Sequence, residues 1–288
     1  MRAWLERGES TMAHTVAERA AALLRSCHPE PTLAVTAVGT ALALVAGRGW
    51  TSVLVGAAVL TGQLSIGWLN DAVDVGRDRV SGRTDKPVAR GQLSTDSVQA
   101  AAFLALTVSV PLALGSGLGG RVPVLLTLGL HLLVVAGGWA YDLGAKSTAF
   151  SVLPYAVAFG ALPAFVVAPA VPVPWWLMVA GALLGSGAHF ANVLPDLADD
   201  AATGVRGLPH RLGAQWSVAA TAALLLAASA VLAMGPSGSP SLVGVLVVLA
   251  AVVALLLGVF SRLGLFRAVL CVAALDVLLL VMSGRSLR

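Results

Sequence analysis

The stretch TSVLVGAAVLTGQLSIGWLNDAVDVGRD, residues 51–78, decides how this chain is read. Residues 51–70 carry no charged side chain and are long enough to span a bilayer as a helix. The run then ends in Asn70, Asp71, Asp74 and Asp78. On a helix turning about 100° per residue, Asp74, Asp78 and Asp71 stand about 40°, 80° and 100° from Asn70, so all four share one face. Carboxylates crowded on one face repel one another unless a cation sits among them. Hard oxygen ligands of this kind suit Mg2+, usually shared with substrate phosphates. The bland alternative is a solvated acidic loop between two helices, and recurrence of the pattern argues against it.

The second copy begins at Asn192. Asn70, Asp74, Asp78, Gly82, Pro87 and Gly91 align with Asn192, Asp196, Asp200, Gly204, Pro209 and Gly213, always at an offset of 122 residues. Both copies read N-x3-D-x3-D-x3-G-x4-P-x3-G. Both follow an apolar run and precede a basic loop punctuated by Gly and Pro. If helix continues through this segment, Asn192, Asp196 and Asp200 fall within about 80° of face, with Asp199 about 20° to the other side of Asn192. Internal symmetry of this kind predicts two half-sites that face each other.

Composition places the motifs in a membrane. The chain has 288 residues, 58% hydrophobic and 11% charged, with a mean hydropathy of +0.89. This is a polytopic all-α membrane protein by composition. Apolar runs recur at roughly 31–47, 51–70, 97–118, 122–141, 149–170, 173–195, 215–234, 241–260 and 263–283, which predicts nine transmembrane helices in one domain over 31–288. Gly181 and Gly185 form a small-xxx-small pair suited to close helix packing, and Pro154, Pro163 and Pro169 interrupt the fifth run. Residues 1–30 are polar and mixed in charge, without a signal-peptide pattern. Within them, 13–25 suits a short amphipathic helix at the membrane surface.

Acids are scarce and their placement carries information. All four Glu lie in the first 30 residues, and most Asp lie in the two motifs or beside them. The net charge of +4 does not indicate nucleic-acid binding, because no basic patch is interleaved with aromatics. With the N-terminus in the cytoplasm, 14 of the 18 Lys and Arg fall on the cytoplasmic side, and Arg48, Arg121, Arg285 and Arg288 on the other. That bias predicts a plasma- or inner-membrane protein with both acidic motifs open to the cytoplasm. Cys27 and Cys271 are far apart, lack metal-ligand spacing and read as unpaired.

The motifs resemble those of the UbiA superfamily of intramembrane prenyltransferases, the family of 4-hydroxybenzoate polyprenyltransferase-like enzymes. Asn70-Asp71-x-x-Asp74-x-x-x-Asp78 is similar to that family's NDxxDxxxD signature, and Asp196-x-x-x-Asp200 to its DxxxD signature. Gly204-Val-Arg206-Gly-Leu-Pro209 resembles the G-x-R-T-L-P that follows, and Tyr141 with Lys146 resembles a Tyr and Lys in the loop after the fourth helix. The resemblance implies nine helices around a central cavity. It implies that Asp71, Asp74, Asp78, Asp196 and Asp200 hold Mg2+ on the diphosphate of a polyprenyl donor. It also implies transfer of the prenyl group to an acceptor, most often aromatic. Two positions depart from the pattern. His28-Pro29 stands where many members carry Arg-Pro, and Asp142 follows the loop Tyr where a small polar residue is common.

Taken on their own, the residues suit the same chemistry. Diphosphate leaves readily only when its charge is neutralised, which facing Asp-held Mg2+ ions achieve. Lys86, Arg77, Lys146 and Arg206 are candidates for charge-assisted hydrogen bonds to it, each with the alternative of a snorkelling interfacial anchor. Asn70, Asn192 and Tyr141 join them as candidate substrate-binding residues. His189 lies on the motif face, about 60° from Asn192, and is a candidate acceptor base or hydrogen-bond partner. Trp68, Trp139, Tyr155, Phe159 and Phe190 lie near the motifs, either lining the cavity or packing helices. Asp276, within the ninth run, is costly in lipid and is expected to face the bundle interior.

Three other readings compete. Facing acidic repeats also suit a divalent-cation transporter, but here the acids lie at helix ends beside basic loops. CDP-alcohol phosphatidyltransferases use membrane Asp motifs beginning D-G-x-x-A-R, which this chain lacks. A UbiA-type terpene cyclase, in which the prenyl cation attacks its own chain, differs only in product.

Overall fold

The computed structural model describes residues 17–83, 86–235, 242–260 and 265–283. Helix α1 covers residues 17–26, and the rest of the chain follows as α2 (Pro29–Val45), α3 (Thr51–Val80), α4 (Thr95–Gly117), α5 (Val124–Asp142), α6 (Leu153–Val167), α7 (Trp175–Val193), α8 (Leu197–Ala202), α9 (Leu208–Met234), α10 (Leu242–Phe260) and α11 (Leu265–Ser283). Short 3-10 turns at Ala145–Ser147 and Leu194–Asp196 complete the set, with no strand among the described residues. Five helices are long and apolar enough to cross a membrane, and four further apolar helical stretches are shorter, of 10–17 residues. Those four correspond to the remaining expected runs. Of the stretch expected to be helical, residues 17–25 lie in α1. Residues 13–16, Arg2, Arg7, Arg262, Arg285 and Arg288 of the sequence reading lie outside the described residues.

Local chemistry sets the helix ends. Pro29, Pro154 and Pro209 sit in the first turns of α2, α6 and α9, where a missing N–H costs nothing. Ser94 caps α4 by accepting the Ser97 amide at 3.1 Å. The prolines of the fifth run set a short helix: Pro154 opens α6, Pro163 lies inside it and Pro169 lies past its end.

Small residues then bring helices together. A β-carbon on Gly181 would overlap the Phe159 carbonyl, and one on Gly185 would overlap Phe159 and the Tyr155 carbonyl. The Gly181/Gly185 pair is therefore the α6–α7 contact, as expected from its spacing. Asp276 is fully buried and accepts a hydrogen bond from Ser229, tying α11 to α9. Cys27 and Cys271 are unpaired.

At the end of the bundle away from the acidic motifs, Arg48 is buried with no carboxylate paired to it among the described residues. Its guanidinium donates to the Val166 carbonyl at 2.8 Å and to the Ser116 carbonyl. These carbonyls lie in the last turns of α6 and α4, which have no intrahelical donor and carry the negative end of the helix dipole. Arg48 thus closes two helix ends at once.

The repeat is geometric as well as sequential. Gly82 and Gly204 have φ of 66° and 88°, and Gly91 and Gly213 have 75° and 79°. The Arg83 amide donates to the Asp78 carbonyl at 2.9 Å, and the Val205 amide to the Asp200 carbonyl at 2.9 Å. The Gly82 and Gly204 amides donate to Arg79 and Ala201, both at 3.3 Å. Each copy thus ends its helix in the same Schellman cap, with the third motif residue, Asp78 or Asp200, as the capped carbonyl.

The helices of the two copies differ. The first motif lies on unbroken α3, as the face argument requires. The second does not: α7 stops at Val193, a 3-10 turn spans Leu194–Asp196, and α8 resumes at Leu197. Pro195 lies in that turn, where it removes a backbone donor and clashes with the preceding turn. The expectation of a continuous helix face from Asn192 to Asp200 is corrected on this point.

Candidate active site

The last turns of α3 carry the first motif into a dense set of ion pairs. Asp71 is only 1% exposed, and its Oδ1 accepts from Lys86 Nζ at 2.7 Å. Its Oδ2 is buried with no hydrogen-bond partner among the described residues. Asp74 Oδ1 accepts from Lys146 Nζ at 2.5 Å and pairs with Arg77 one turn on. Its Oδ2 takes the Asn70 amide at 3.3 Å. Asp78 is half-buried within reach of the charges of Lys86 and Arg83.

His28, just before α2, closes the other side. It has φ of 53°, a region that non-glycine residues enter at a cost. Its Nε2 stands 3.1 Å from Asn70 Oδ1 and 2.9 Å from Lys86 Nζ, and its tautomer decides which it bonds. Desolvation and then the Lys86 charge hold this imidazole below the usual histidine pKa. His28, which stands where the resembled pattern has Arg, therefore lies within the first-motif site.

The second motif faces the first. Arg83, in the loop after α3, lies 3.7 Å from Asp196. Asp200 is half-buried, 3.5 Å from His210, and within reach of the charges of Arg77 and Asp74. Asp199 and Arg206 are exposed. Asn192 is exposed and lies close enough to Tyr155 to act on its hydroxyl.

The loop after α5 completes the arrangement. Lys146 is buried, and Gly207, ahead of α9, packs against it so closely that a β-carbon there would overlap the Lys146 carbonyl. Ser151 Oγ accepts the Leu208 amide at 2.9 Å and lies 3.0 Å from His189 Nε2. His189 is buried among Tyr141, Tyr155 and Phe190, with ring centroids 5.0 to 5.6 Å away. Tyr155 and Phe159 stack at 6.1 Å. Of the other aromatics, Trp68 donates to the Leu23 carbonyl and anchors α1, and Trp139 donates to Ser65.

The sequence-derived candidates therefore divide. Asn70, Asp71, Asp74, Arg77, Lys86 and Lys146 form one connected network. Asp196 and Asp200 approach it across Arg83 and Arg77. Tyr141 and His189 belong to an aromatic cluster beside it. Arg206 and Asn192 are exposed, and no hydrogen bond or ion pair joins them to this network among the described residues.

Sequence reasoning gave no role to Asp142, Arg83, His210 and Ser151. Asp142 is 3% exposed and accepts from Asn70 Nδ2 at 2.7 Å. Its signal was an acid at a helix end in a chain where most Asp lie in the motifs or beside them. His210 follows directly on the aligned Pro209.

The donor set fits a divalent cation. It consists of hard oxygens, and Asp71 keeps a buried oxygen without a hydrogen-bond partner among the described residues. No group of three His, Cys, Asp or Glu among the described residues forms a ready metal cage. Mg2+ is characteristically held by one or two carboxylates together with substrate phosphates, so a full protein cage is not required.

Several solved structures share the fold. A digeranylgeranylglyceryl phosphate synthase structure is 14% identical, covers 93% of this chain and 99% of its own, and superposes with a TM-score of 0.66. A UbiA homologue from Aeropyrum pernix K1 is 19% identical over 89% of this chain and 96% of its own, with a TM-score of 0.65. A UbiA homologue from Archaeoglobus fulgidus, bound to GPP and Mg2+, is 16% identical over 92% of this chain and 99% of its own, with a TM-score of 0.63. No curated protein matches the sequence. The model of the UbiA prenyltransferase family matches residues 32–281, nearly the whole helical bundle, and this chain, an integral membrane protein, belongs to that family.

Proposed function

We propose that the chain transfers a prenyl group from a polyprenyl diphosphate to an acceptor, most simply an aromatic one, in a Mg2+-dependent reaction at the membrane. One observation carries this reading: carboxylates of two facing motifs are interleaved with Lys86, Lys146 and Arg77 at one end of an apolar bundle. A cation carrier needs the acids but not the interleaved ammonium and guanidinium groups. A diphosphate needs both.

In this reading Asp71, Asp74 and Asp78 on one side, and Asp196 and Asp200 on the other, hold the cation. Mg2+ bound there supplies charge neutralisation of the departing diphosphate. Lys86, Lys146 and Arg77 already lie against carboxylates, so small side-chain movements bring them to diphosphate oxygens as charge-assisted donors. Arg206, exposed, meets the diphosphate as it enters, and Asn70 and Asn192 orient it. The carbon–oxygen bond of the donor then breaks, leaving an allylic cation that water would quench. The apolar helices exclude water from it. Tyr141, in edge-to-face contact with Tyr155 and His189, is the aromatic group that stabilises positive charge in this reading, and His189 serves the acceptor as hydrogen-bond partner.

Membranes containing the protein, given radiolabelled prenyl diphosphates of several lengths and a panel of aromatic acceptors, are expected to yield a prenylated acceptor. EDTA abolishes the product and Mg2+ restores it. A cyclic product formed from the donor alone assigns the chain as a terpene cyclase instead. No turnover of any donor overturns the reading.

The positive charge bias supports a cytoplasmic site. In a background lacking Cys27 and Cys271, Gly82→Cys is expected to react with a membrane-impermeant thiol reagent only from the cytoplasmic face, and Arg121→Cys only from the opposite face. Labelling in the reverse sense overturns this orientation.

A further inference from the structure

We propose that Asp142 is a further carboxylate of the metal-binding site built by the first motif. This rests on the metal–diphosphate reading above. Helix α5 ends at Asp142, which delivers its side chain to the level of Asn70 and Asp74. Asn70 Nδ2 donates to Asp142 Oδ1 at 2.7 Å and to Asp74 Oδ2 at 3.3 Å, so both carboxylates reach the same amide nitrogen. The amide thereby fixes how the two acids stand relative to each other.

The remaining oxygen gives the second, independent observation. Asp142 Oδ2 is buried and has no hydrogen-bond partner among the described residues. Leaving a buried carboxylate oxygen unmatched is costly, and proteins rarely do it without a partner of another kind. Asp71, a motif residue placed at the cation, keeps an orphaned Oδ2 in the same way. Lys146 and Arg77 act on Asp142 through their charge, but the contacts they make are with Asp74, and neither donates a hydrogen bond to Asp142 Oδ2. A hard cation takes such an oxygen directly. Two carboxylates with diphosphate oxygens and water make an ordinary Mg2+ shell, and Asp74 with Asp142 provides two.

The competing role is structural, in which Asp142 serves only as acceptor for the Asn70 amide. Asp142→Asn separates the two, since it keeps an oxygen for Asn70 and removes the charge. Mn2+ binding to the purified full chain, with pyrophosphate present, is measured by electron paramagnetic resonance of the free ion. Thermal stability without metal is measured alongside. Asp142→Asn is expected to raise the Mn2+ Kd by at least about tenfold, with Tm unchanged and Asp96→Asn binding as wild type. Asp142→Ser, the second variant in case the first fails to fold, is expected to show the same rise.

A wild-type Kd in a folded Asp142→Asn or Asp142→Ser protein overturns the assignment. Wild-type protein that binds Mn2+ but transfers no prenyl group leaves the assignment standing and sinks the prenyl-transfer reading. Wild-type protein that binds no Mn2+ sinks both.

Discussion

Asp74→Asn is expected to lower prenyl transfer by at least about 10³-fold, a loss of roughly 4 kcal/mol of transition-state stabilisation. Asp74 is the junction of the site. One oxygen takes Lys146 and Arg77, and the other takes the Asn70 amide. The substitution keeps the shape and removes the charge, so two effects add. The proposed cation loses a ligand, and the two basic groups lose the anion that holds them near the diphosphate. Loss of either kind of electrostatic support typically costs orders of magnitude in rate. Initial rates at equal membrane expression, over a range of Mg2+ concentrations, check this. Excess Mg2+ is expected to recover only part of the loss, because Lys146 and Arg77 remain without their partner. Full turnover by Asp74→Asn in the presence of a chelator removes the motif from the reaction altogether.

Much of this arrangement is legible in the order of the residues alone. The first motif lies on an unbroken helix, so adding rotations of about 100° per residue places Asn70, Asp71, Asp74 and Asp78 on one face. The repeat is legible because its glycines answer to backbone geometry: a left-handed cap at Gly82 and Gly204 admits glycine far more readily than other residues. The same arithmetic fails across Leu194–Asp196, where Pro195 replaces α-helix with a tighter turn. What no local pattern reveals are contacts between elements distant in sequence. Asp142 meets Asn70 across 72 residues, and His28 meets Asn70 across 42. Arg83 reaches Asp196 only because the bundle folds the two loops together. Contacts of this kind depend on helix packing, which hydropathy and spacing do not encode.

The neighbouring acids Asp199 and Asp200 test whether that repeat has functional meaning. At an offset of 122 residues, Asp200 pairs with Asp78, and Asp199 stands opposite Arg77. The backbone agrees, since Asp78 and Asp200 carry the equivalent capped carbonyls at 2.9 Å. Asp200 is half-buried, 3.5 Å from His210 and in electrostatic reach of Arg77 and Asp74. Asp199 is exposed, and no ion pair joins it to Arg206 among the described residues. A solvated carboxylate interacts weakly because water screens it. Asp200→Ala is therefore expected to reduce prenyl transfer by at least about 10²-fold, equivalent to roughly 2.7 kcal/mol of transition-state stabilisation. Asp199→Ala is expected to retain more activity than Asp200→Ala at saturating Mg2+. Both variants are compared at equal membrane expression, with product formation as the readout. If Asp199→Ala is inactive and Asp200→Ala is active, the half-sites do not correspond as aligned, and the second motif presents its other acid to the cation.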